Sequence, residues 1–313
     1  MLKRIVHIGT RGSALALAQA GAVRRALQKK HPRFHFELAV IKTFGDEFQG
    51  VEIFKRTSVG VFTKAIEKSL LDGKVDLAIH SLKDLPTDPA KGLVIAAIPE
   101  RSDTKDVLLS RKGFTLRTLP GGSRVGTGSP RRKRQVARLR PDLHLVDLRG
   151  NLDTRVRRVL DERSLEAIVV ARAGLLRLKK FLKYAKAIPA EDVLPAVGQG
   201  ALAVQARKSD KEMRRVAKSL HHAATEKEVS AERVFLKALS GGCRVPVGVR
   251  TRIAGNKFYM EAAVFSVKDE GWVRGNISAS LRNAAPAAKK LAGTLLKNGA
   301  ASFLKEARTE TAR

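Results

Sequence analysis

Two short segments of this chain echo each other: Ile8-Gly9-Thr10-Arg11-Gly12-Ser13 and Val125-Gly126-Thr127-Gly128-Ser129-Pro130. In both, an apolar run stops at small residues and a helix follows, the signature of a βα unit. The first series continues as a helix from Ser13, a good N-cap, to about Lys29. Strands then follow at Phe36 to Ile41, Val75 to His80 and Leu93 to Ile98, with a helix from about Phe62 to Leu71. The second series has a strand at Arg124-Val125-Gly126, a helix from Pro130 to about Leu139 with Ser129 as N-cap, a strand from Leu143 to Leu148, a helix carrying Arg155, and a strand from Ala167 to Ala171. Two similar α/β lobes with mainly parallel sheets are expected.

The last third reads differently. Ala223 to Leu239 forms a helix, and Gly241-Gly242-Cys243-Arg244-Val245-Pro246 a loop. Val247 to Ile253 and Phe258 to Phe265 alternate as antiparallel strands across a Gly255-Asn256 turn. A helix from about Ala285 to Leu304 closes a small α+β domain.

With 313 residues, 43% of them hydrophobic, the chain can build two or three domains and is not globally disordered. Cys243 is its single cysteine, so no internal disulfide forms and a reducing compartment fits. The start, Met1-Leu2-Lys3-Arg4-Ile5, lacks the apolar stretch of a signal peptide. No run reaches membrane-spanning length; Ala167 to Leu176 is interrupted by Arg172. The formal charge is +31, from 61 Lys+Arg against 30 Asp+Glu, and it attracts polyanions. The basic residues are spread along the whole chain, so most read as solvated surface, Arg138 and Arg140 among them.

Certain polar residues stand apart. Arg11, Ser13, Lys83, Asp84, Thr127, Ser129, Arg131, Arg132, Arg149 and Arg155 all follow expected strands. In open α/β sheets those carboxyl ends line the ligand crevice. Helix N-termini at Ser13 and Ser129 offer N–H groups to anions, and arginine forks grip carboxylates. Arg131 and Arg132 oppose the dipole of their own helix, a local misfit that favours a ligand role; leucine at either is expected to leave a folded protein. The pattern implies a cleft between two lobes for a ligand with several carboxylates or phosphates. His80 reads as structural, and the His221-His222 pair lacks a carboxylate pattern for metal. Cys243, after two glycines and before Arg244, reads as an accessible thiol whose neighbouring charge favours thiolate. A two-lobed binding protein for an anionic metabolite would need the cleft but not Cys243. A nucleic-acid binder would use the charge, but only 5% of residues are aromatic and no groove-reading motif appears.

At these residues the chain resembles the porphobilinogen deaminase (hydroxymethylbilane synthase) family. The segments are Arg11-Gly12-Ser13, His80-Ser81-Leu82-Lys83-Asp84-Leu85-Pro86, Glu100-Arg101-Ser102-Asp103, Arg149-Gly150-Asn151 with Thr154-Arg155, Leu194-Pro195-Ala196-Val197-Gly198-Gln199-Gly200 and the Gly241 to Pro246 loop. The resemblance spans nearly the whole chain. It implies an α/β fold of two similar periplasmic-binding-protein-like lobes flanking a cleft, 1–99 with 199–219 and 104–194, plus a C-terminal α+β domain, 222–313, carrying the attachment cysteine. It implies a transferase of haem and tetrapyrrole biosynthesis. Four porphobilinogen molecules are condensed head to tail, with loss of ammonia, on a dipyrromethane primer joined to Cys243 by a thioether. Hydrolysis then releases the linear tetrapyrrole.

The same resemblance implies Asp84 as the catalytic carboxylate. It implies Ser81, Lys83, Asp84, Thr127, Ser129, Arg131, Arg132 and Arg155 as cofactor-binding residues. Arg11, Ser13, Phe62, Arg149, Arg155, Arg177 and Gln199 become substrate-binding residues. It implies no metal, no specific nucleic acid, no membrane, a monomer and a cytoplasmic location. Departures from the family's usual pattern are Thr57-Ser58-Val59-Gly60-Val61-Phe62 in place of Gly-Gly-Lys-Gly-Leu-Phe, Phe44 in place of arginine, and Gly128 and Pro130 in place of serine and leucine. The expected intact mass exceeds the sequence mass by two linked pyrrole units on the peptide containing Cys243. Cys243→Ser loses the adduct, since an alkoxide is a poorer nucleophile than a thiolate at neutral pH; an unmodified yet fully active protein would contradict the cofactor assignment.

Overall fold

The computed structural model describes residues 3–42, 63–239, 246–268 and 270–312. Phe44, the 57–62 stretch with Phe62, and Cys243 with its neighbours at 240–245 lie outside the described residues. The chain divides into two compact units, Met1–Ser102 with Gly200–Glu226, and Asp103–Gln199 with Lys227–Arg313.

The strands of the first unit are β1 (Arg4–Thr10), β2 (Phe34–Val40), β3 (Leu77–Ser81), β4 (Leu93–Ala97) and β10 (Leu202–Arg207). They form one sheet in the order β2-β1-β3-β10-β4. Helices α1 (Ala14–Lys30), α2 (Lys64–Leu71) and α6 (Lys211–Lys218) belong to this unit. Val6 and Ile8 of β1 are fully buried with Val23 and Leu27 of α1 and Phe36 of β2. Each such aliphatic side chain stabilises the fold by about 1.5–3 kcal/mol on leaving water.

In the second unit, β5 (Asp106–Ser110), β6 (Arg124–Gly126), β7 (His144–Val146), β8 (Ala167–Ala171) and β9 (Ala185–Ala187) make a sheet ordered β7-β6-β8-β5-β9. Helices α3 (Pro130–Leu139), α4 (Leu152–Leu160) and α5 (Arg172–Leu178) accompany it. Separate clusters around Val125 and Val136, and around Val156 and Ile168, form its core. A further sheet of β11 (Val247–Ala254), β12 (Lys257–Phe265) and β13 (Trp272–Ser280) shares a core with α7 (Ala223–Ala238), which begins in the first unit, and with α8 (Ala284–Leu295).

Both five-stranded sheets follow one plan, which establishes two similar lobes. In each, a central strand pairs parallel with both neighbours: β1 with β2 and β3, and β6 with β7 and β8. In each, one strand inserts antiparallel before the edge: β10 between β3 and β4, and β5 between β8 and β9. The expectation of mainly parallel sheets is corrected here. The antiparallel strands β5 and β10 each begin a few residues after the chain passes from one unit to the other, at 102/103 and 199/200. Each therefore joins its sheet without the βα crossover that would make it parallel. The final helix also differs from expectation. Its helical path is interrupted at Leu296–Ala300, where Gly299 has φ 114°, a left-handed conformation that glycine adopts without a Cβ clash, and helix α9 (Ala301–Ala312) follows. No described helix is long and apolar enough to cross a membrane.

The C-terminal sheet docks tightly inside the second unit. A Cβ built at Gly248 would lie 2.6 Å from Leu194 Cβ and 3.2 Å from Leu194 O. Val249 N also donates to Pro195 O at 2.8 Å. Gly248→Ala must displace β11 or the 194–195 backbone and is expected to cost about 1–3 kcal/mol in denaturant unfolding. A variant as stable as wild type would mean that this contact yields freely.

Candidate active site

In the first unit, the parallel pairing of β1 and β3 brings their carboxyl ends to one sheet edge. After β1, Arg11 is half-buried, and Ser13 caps α1, its Oγ accepting from Ala16 N at 3.3 Å. After β3, Ser81 exchanges a hydrogen bond with buried Gln19 of α1, at 3.1 Å from Gln19 Nε2. A single 3-10 turn, Leu82–Asp84, follows. Leu82 and Leu85 are buried, and Leu82 N donates to Ala201 O at 3.0 Å. Two apolar anchors and one strand-type hydrogen bond thus hold the turn, and Lys83 and Asp84 are exposed between them. His80 is buried and its pKa is pushed down to about 4, first by burial; its Nε2 finds no partner among the described residues.

In the second unit, β6, β7 and β8 likewise present their carboxyl ends together. Thr127 is buried and its N donates to Val146 O at 3.0 Å. Ser129 occupies the N-cap of α3 without a side-chain capping bond, unlike Ser13. Arg149 is exposed, while Arg155 is half-buried with its Nε on Gly150 O at 2.8 Å. Arg177 of α5 is half-buried, and burial lowers its guanidinium to about 10, so it stays charged at neutral pH.

Arg131 and Arg132 have an internal partner that sequence reading missed. Both are buried, and both face Asp106, the first residue of β5, which is 0% exposed. Arg132 donates to Asp106 Oδ1 from Nε at 3.1 Å and from Nη2 at 2.8 Å. Arg131 Nη2 lies 2.8 Å from Oδ2 as an ion pair. Burial alone would raise the Asp106 pKa, but the two guanidinium charges outweigh it and hold the pKa down at about 2. The dipole misfit of two cations in the first turn of α3 is therefore answered inside the protein. Removing either arginine leaves a buried charge under-compensated, so the expectation that leucine is tolerated there is withdrawn. The rest of this basic helix is also engaged. Lys133 pairs with Asp147 at 2.8 Å, Arg134 donates to Val267 O, and Arg138 lies 3.9 Å above the Trp272 ring. Arg140 donates to Asp142 and to the carbonyls of Leu116 and Leu119. Arg138 is exposed, as its surface reading expects, and Arg140 is half-buried; both also make these contacts.

Gln199 is fully buried, its Nε2 donating to Thr104 O at 2.6 Å and to Asp106 Oδ1 at 2.9 Å. The preceding residue, Gly198, donates its N–H at 2.7 Å to Glu232 of α7, another fully buried carboxylate. His221 and His222 tie α7 to the end of β4: Ile98 N donates to His221 Nδ1 at 3.4 Å, and His222 N to Ile98 O at 2.9 Å. Among the described residues, no group of three His, Cys, Asp or Glu is placed to hold a metal.

Residues 6–215 match the family model described as "Porphobilinogen deaminase, dipyromethane cofactor binding domain", and residues 226–297 match "Porphobilinogen deaminase, C-terminal domain". The chain belongs to the porphobilinogen deaminase family. It is 44% identical over 294 residues to the porphobilinogen deaminase of Syntrophus aciditrophicus, covering 94% of this chain and 96% of that protein. The porphobilinogen deaminases of Chloroherpeton thalassium and Pelotomaculum thermopropionicum are each 41% identical, covering 99% and 100% of this chain and 100% of their own length. Among solved structures, a periplasmic binding protein of Salmonella typhimurium aligns with 69% of this chain and 91% of its own at 16% identity and a TM-score of 0.40. As a porphobilinogen deaminase-family enzyme, the chain contains the dipyrromethane cofactor binding domain.

The second unit's carboxyl edge suits a ligand with carboxylates. Thr127, Ser129, Arg149 and Arg155 bring hydroxyls and guanidiniums there; the carboxylates of Asp147, after β7, and of Asp106 are paired with Lys133 and with Arg131 and Arg132. The missed residues left partial signals. Asp106 directly heads the apolar run Val107-Leu108-Leu109, and two arginines in one helical turn call for an anion. Glu232 left none, because one acid in a mixed helix reads as surface. Asp106→Asn is expected to lower stability near neutral pH by about 3–5 kcal/mol, since two arginines stay buried beside a neutral amide. The folded pKa of about 2 lies below the ordinary value of 3.8, so the stabilisation is full above that value and lost as pH falls toward 2. Denaturant titrations across that range should show a shallower acid dependence in the variant; parallel wild-type and variant curves would contradict the pairing.

Proposed function

We propose that this chain is a hydroxymethylbilane synthase, a cytoplasmic monomer that condenses four porphobilinogen molecules head to tail and releases the linear tetrapyrrole. The observation that carries the reading is the cofactor-domain match across residues 6–215, which contains both carboxyl-edge clusters. We read three functional parts: lobe 1 at 1–99 with 199–219, lobe 2 at 104–194, and residues 222–313 bearing the attachment cysteine. Joined to Cys243, dipyrromethane supplies the terminal pyrrole carbon that takes the first substrate unit.

In this reading Thr127, Ser129, Arg155, Ser81 and Lys83 hold the cofactor through its carboxylates. Arg11, Ser13, Arg149 and Arg177 receive the acetate and propionate of incoming porphobilinogen, and charge-assisted guanidinium–carboxylate bonds favour that assignment. Phe62, outside the described residues, is assigned to substrate binding from the sequence resemblance alone. Arg131, Arg132 and Gln199 act through the Asp106 cluster, as a charged base under the N-terminus of α3. Asp84 is the reacting carboxylate. Loss of ammonia leaves an electron-poor methylene pyrrolenine on the substrate. A carboxylate on a turn anchored by Leu82 and Leu85 can accept pyrrole N–H bonds, stabilise the developing positive charge and take up the proton released at the new junction.

Single-turnover elongation of purified holoenzyme tests that role. Asp84→Asn is expected to lose on the order of 100- to 1000-fold in rate with fold and cofactor retained. Asp84→Glu should keep more activity, because it misplaces the charge without removing it. Elongation by Asp84→Asn within a few-fold of wild type would reduce Asp84 to a structural residue.

A further inference from the structure

The sheet of the second unit has a second edge, opposite the carboxyl ends of β6, β7 and β8. Strand β5 runs antiparallel to β8, with Ser110 opposite Ala167, so Arg111 emerges where β8 begins. Helix α4 ends at Leu160, on the chain's way to that same end of β8. Strand β9 pairs antiparallel with β5, Ala185 opposite Leu109, so the segment before it arrives there too. These approaches border a hollow of about 560 Å³. The five residues of β8 separate it from the carboxyl edge by roughly 16 Å.

The lining has two characters. Leu160, Phe181 and Tyr184 are half-buried and pack on the core cluster of Val156 and Ile168. Arg111, Lys180 and Lys183 are exposed around them, with Lys183 Nζ 4.9 Å from the centroid of the Tyr184 ring. Asp161 is the one acid in the lining, so three cations leave it net positive. Aromatic faces receive a flat ring in offset or edge-on packing, and the cations receive anionic substituents.

The backbone singles out the same place. Among the described residues, three that are not glycine have left-handed φ: Arg163 at 52°, Lys179 at 53° and Phe181 at 64°. Arg163 lies two residues past Asp161, and the other two bracket Lys180. Crowding at Cβ makes that conformation costly, above all for a bulky side chain. Such strain collects at binding sites and persists only where the surroundings impose it. Lys179 ends α5, and Phe181 opens the 3-10 turn Leu182–Tyr184. The two reversals set Phe181 and Tyr184 against the core and leave Lys180 and Lys183 in water. Glycine at 181 would make the turn without strain but would remove the ring.

We propose that this hollow binds a small flat ring bearing anionic groups, carboxylate or phosphate, at a site separate from the carboxyl-edge residues. The ring lies against Phe181 and Tyr184. Arg111, Lys180 and Lys183 take the anionic groups, and Asp161 accepts from a ring N–H or an amine.

The test is lysine acetylation of the full-length holoenzyme, read peptide by peptide by mass spectrometry. Imidazole-4,5-dicarboxylate and AMP are the probes. Each has a flat ring and an N–H, with carboxylates in one and phosphate in the other. Succinate has two carboxylates and no ring. At about ten times its Kd, a probe should slow acetylation of Lys180 and Lys183 about 10-fold. The exposed Lys290 of α8 should react unchanged, and succinate should need a higher concentration than the better probe. That better probe names the anion. Arg111→Glu changes an exposed position and should remove the protection with the fold intact. Phe181→Leu keeps an apolar side chain and should bring the ring probes down to the level of succinate. Equal protection at Lys290 would mean that the +31 charge gathers anions everywhere, and it overturns the proposal. Absence of protection by both probes overturns it as well, as does protection that survives Arg111→Glu.

Discussion

The second unit is organised around the Asp106 carboxylate. It sits at the head of β5, fully buried, and takes two guanidiniums from the first turn of α3 and an amide from Gln199. A buried carboxylate without such partners would protonate or drag the strand end toward water. Conversely, Arg131 and Arg132 could not remain buried against the positive end of their own helix without an anion. The three side chains make one another possible. Because β5 is the first strand after the chain enters this unit, the cluster also sets where the antiparallel strand starts.

That constraint propagates. Arg131 also donates to Leu194 O, and Gln135 of α3 brackets the same residue, donating to its O at 3.1 Å and accepting from its N at 2.8 Å. Leu194 in turn fills the space left by the absent side chain of Gly248. The helix, the 194–200 segment and the C-terminal sheet are thereby locked by short contacts in addition to the apolar packing of Leu194 on Ala263 and Phe265. The first unit works differently: its exposed turn at Lys83 and Asp84 hangs on two buried leucines and the β3–β10 pairing.

The chain's large positive charge looks different in this light. In α3 each basic residue has a defined partner: a carboxylate, a carbonyl or the Trp272 ring. Reading its surface arginine from the sequence agrees with the exposure of Arg138, but the internal partners of Arg131 and Arg132 were not legible there. The helix's basicity serves internal architecture first: Arg131 and Arg132 meet Asp106, and Lys133 meets Asp147.

What the sequence by itself determined was local and repetitive. Apolar runs ending in Gly, Ser and Thr marked β1, β3, β6 and β8, and Ser13 and Pro130 marked helix starts, because turn geometry and capping are decided within a few residues. The motif segments from Arg11-Gly12-Ser13 to Leu194–Gly200 identified the family for the same reason: chemistry requires their residue types in a fixed local order. Only the tertiary structure decided the antiparallel insertion of β5 and β10, the break at Gly299, and the burial of Asp106, Glu232 and Gln199. Those outcomes depend on residues far apart in sequence, such as Thr251 with Glu232, Gln199 with Asp106, and Leu202 of β10 with Ser81 of β3. A lone acid or amide in the sequence carries no sign of whether a distant partner will take it out of water.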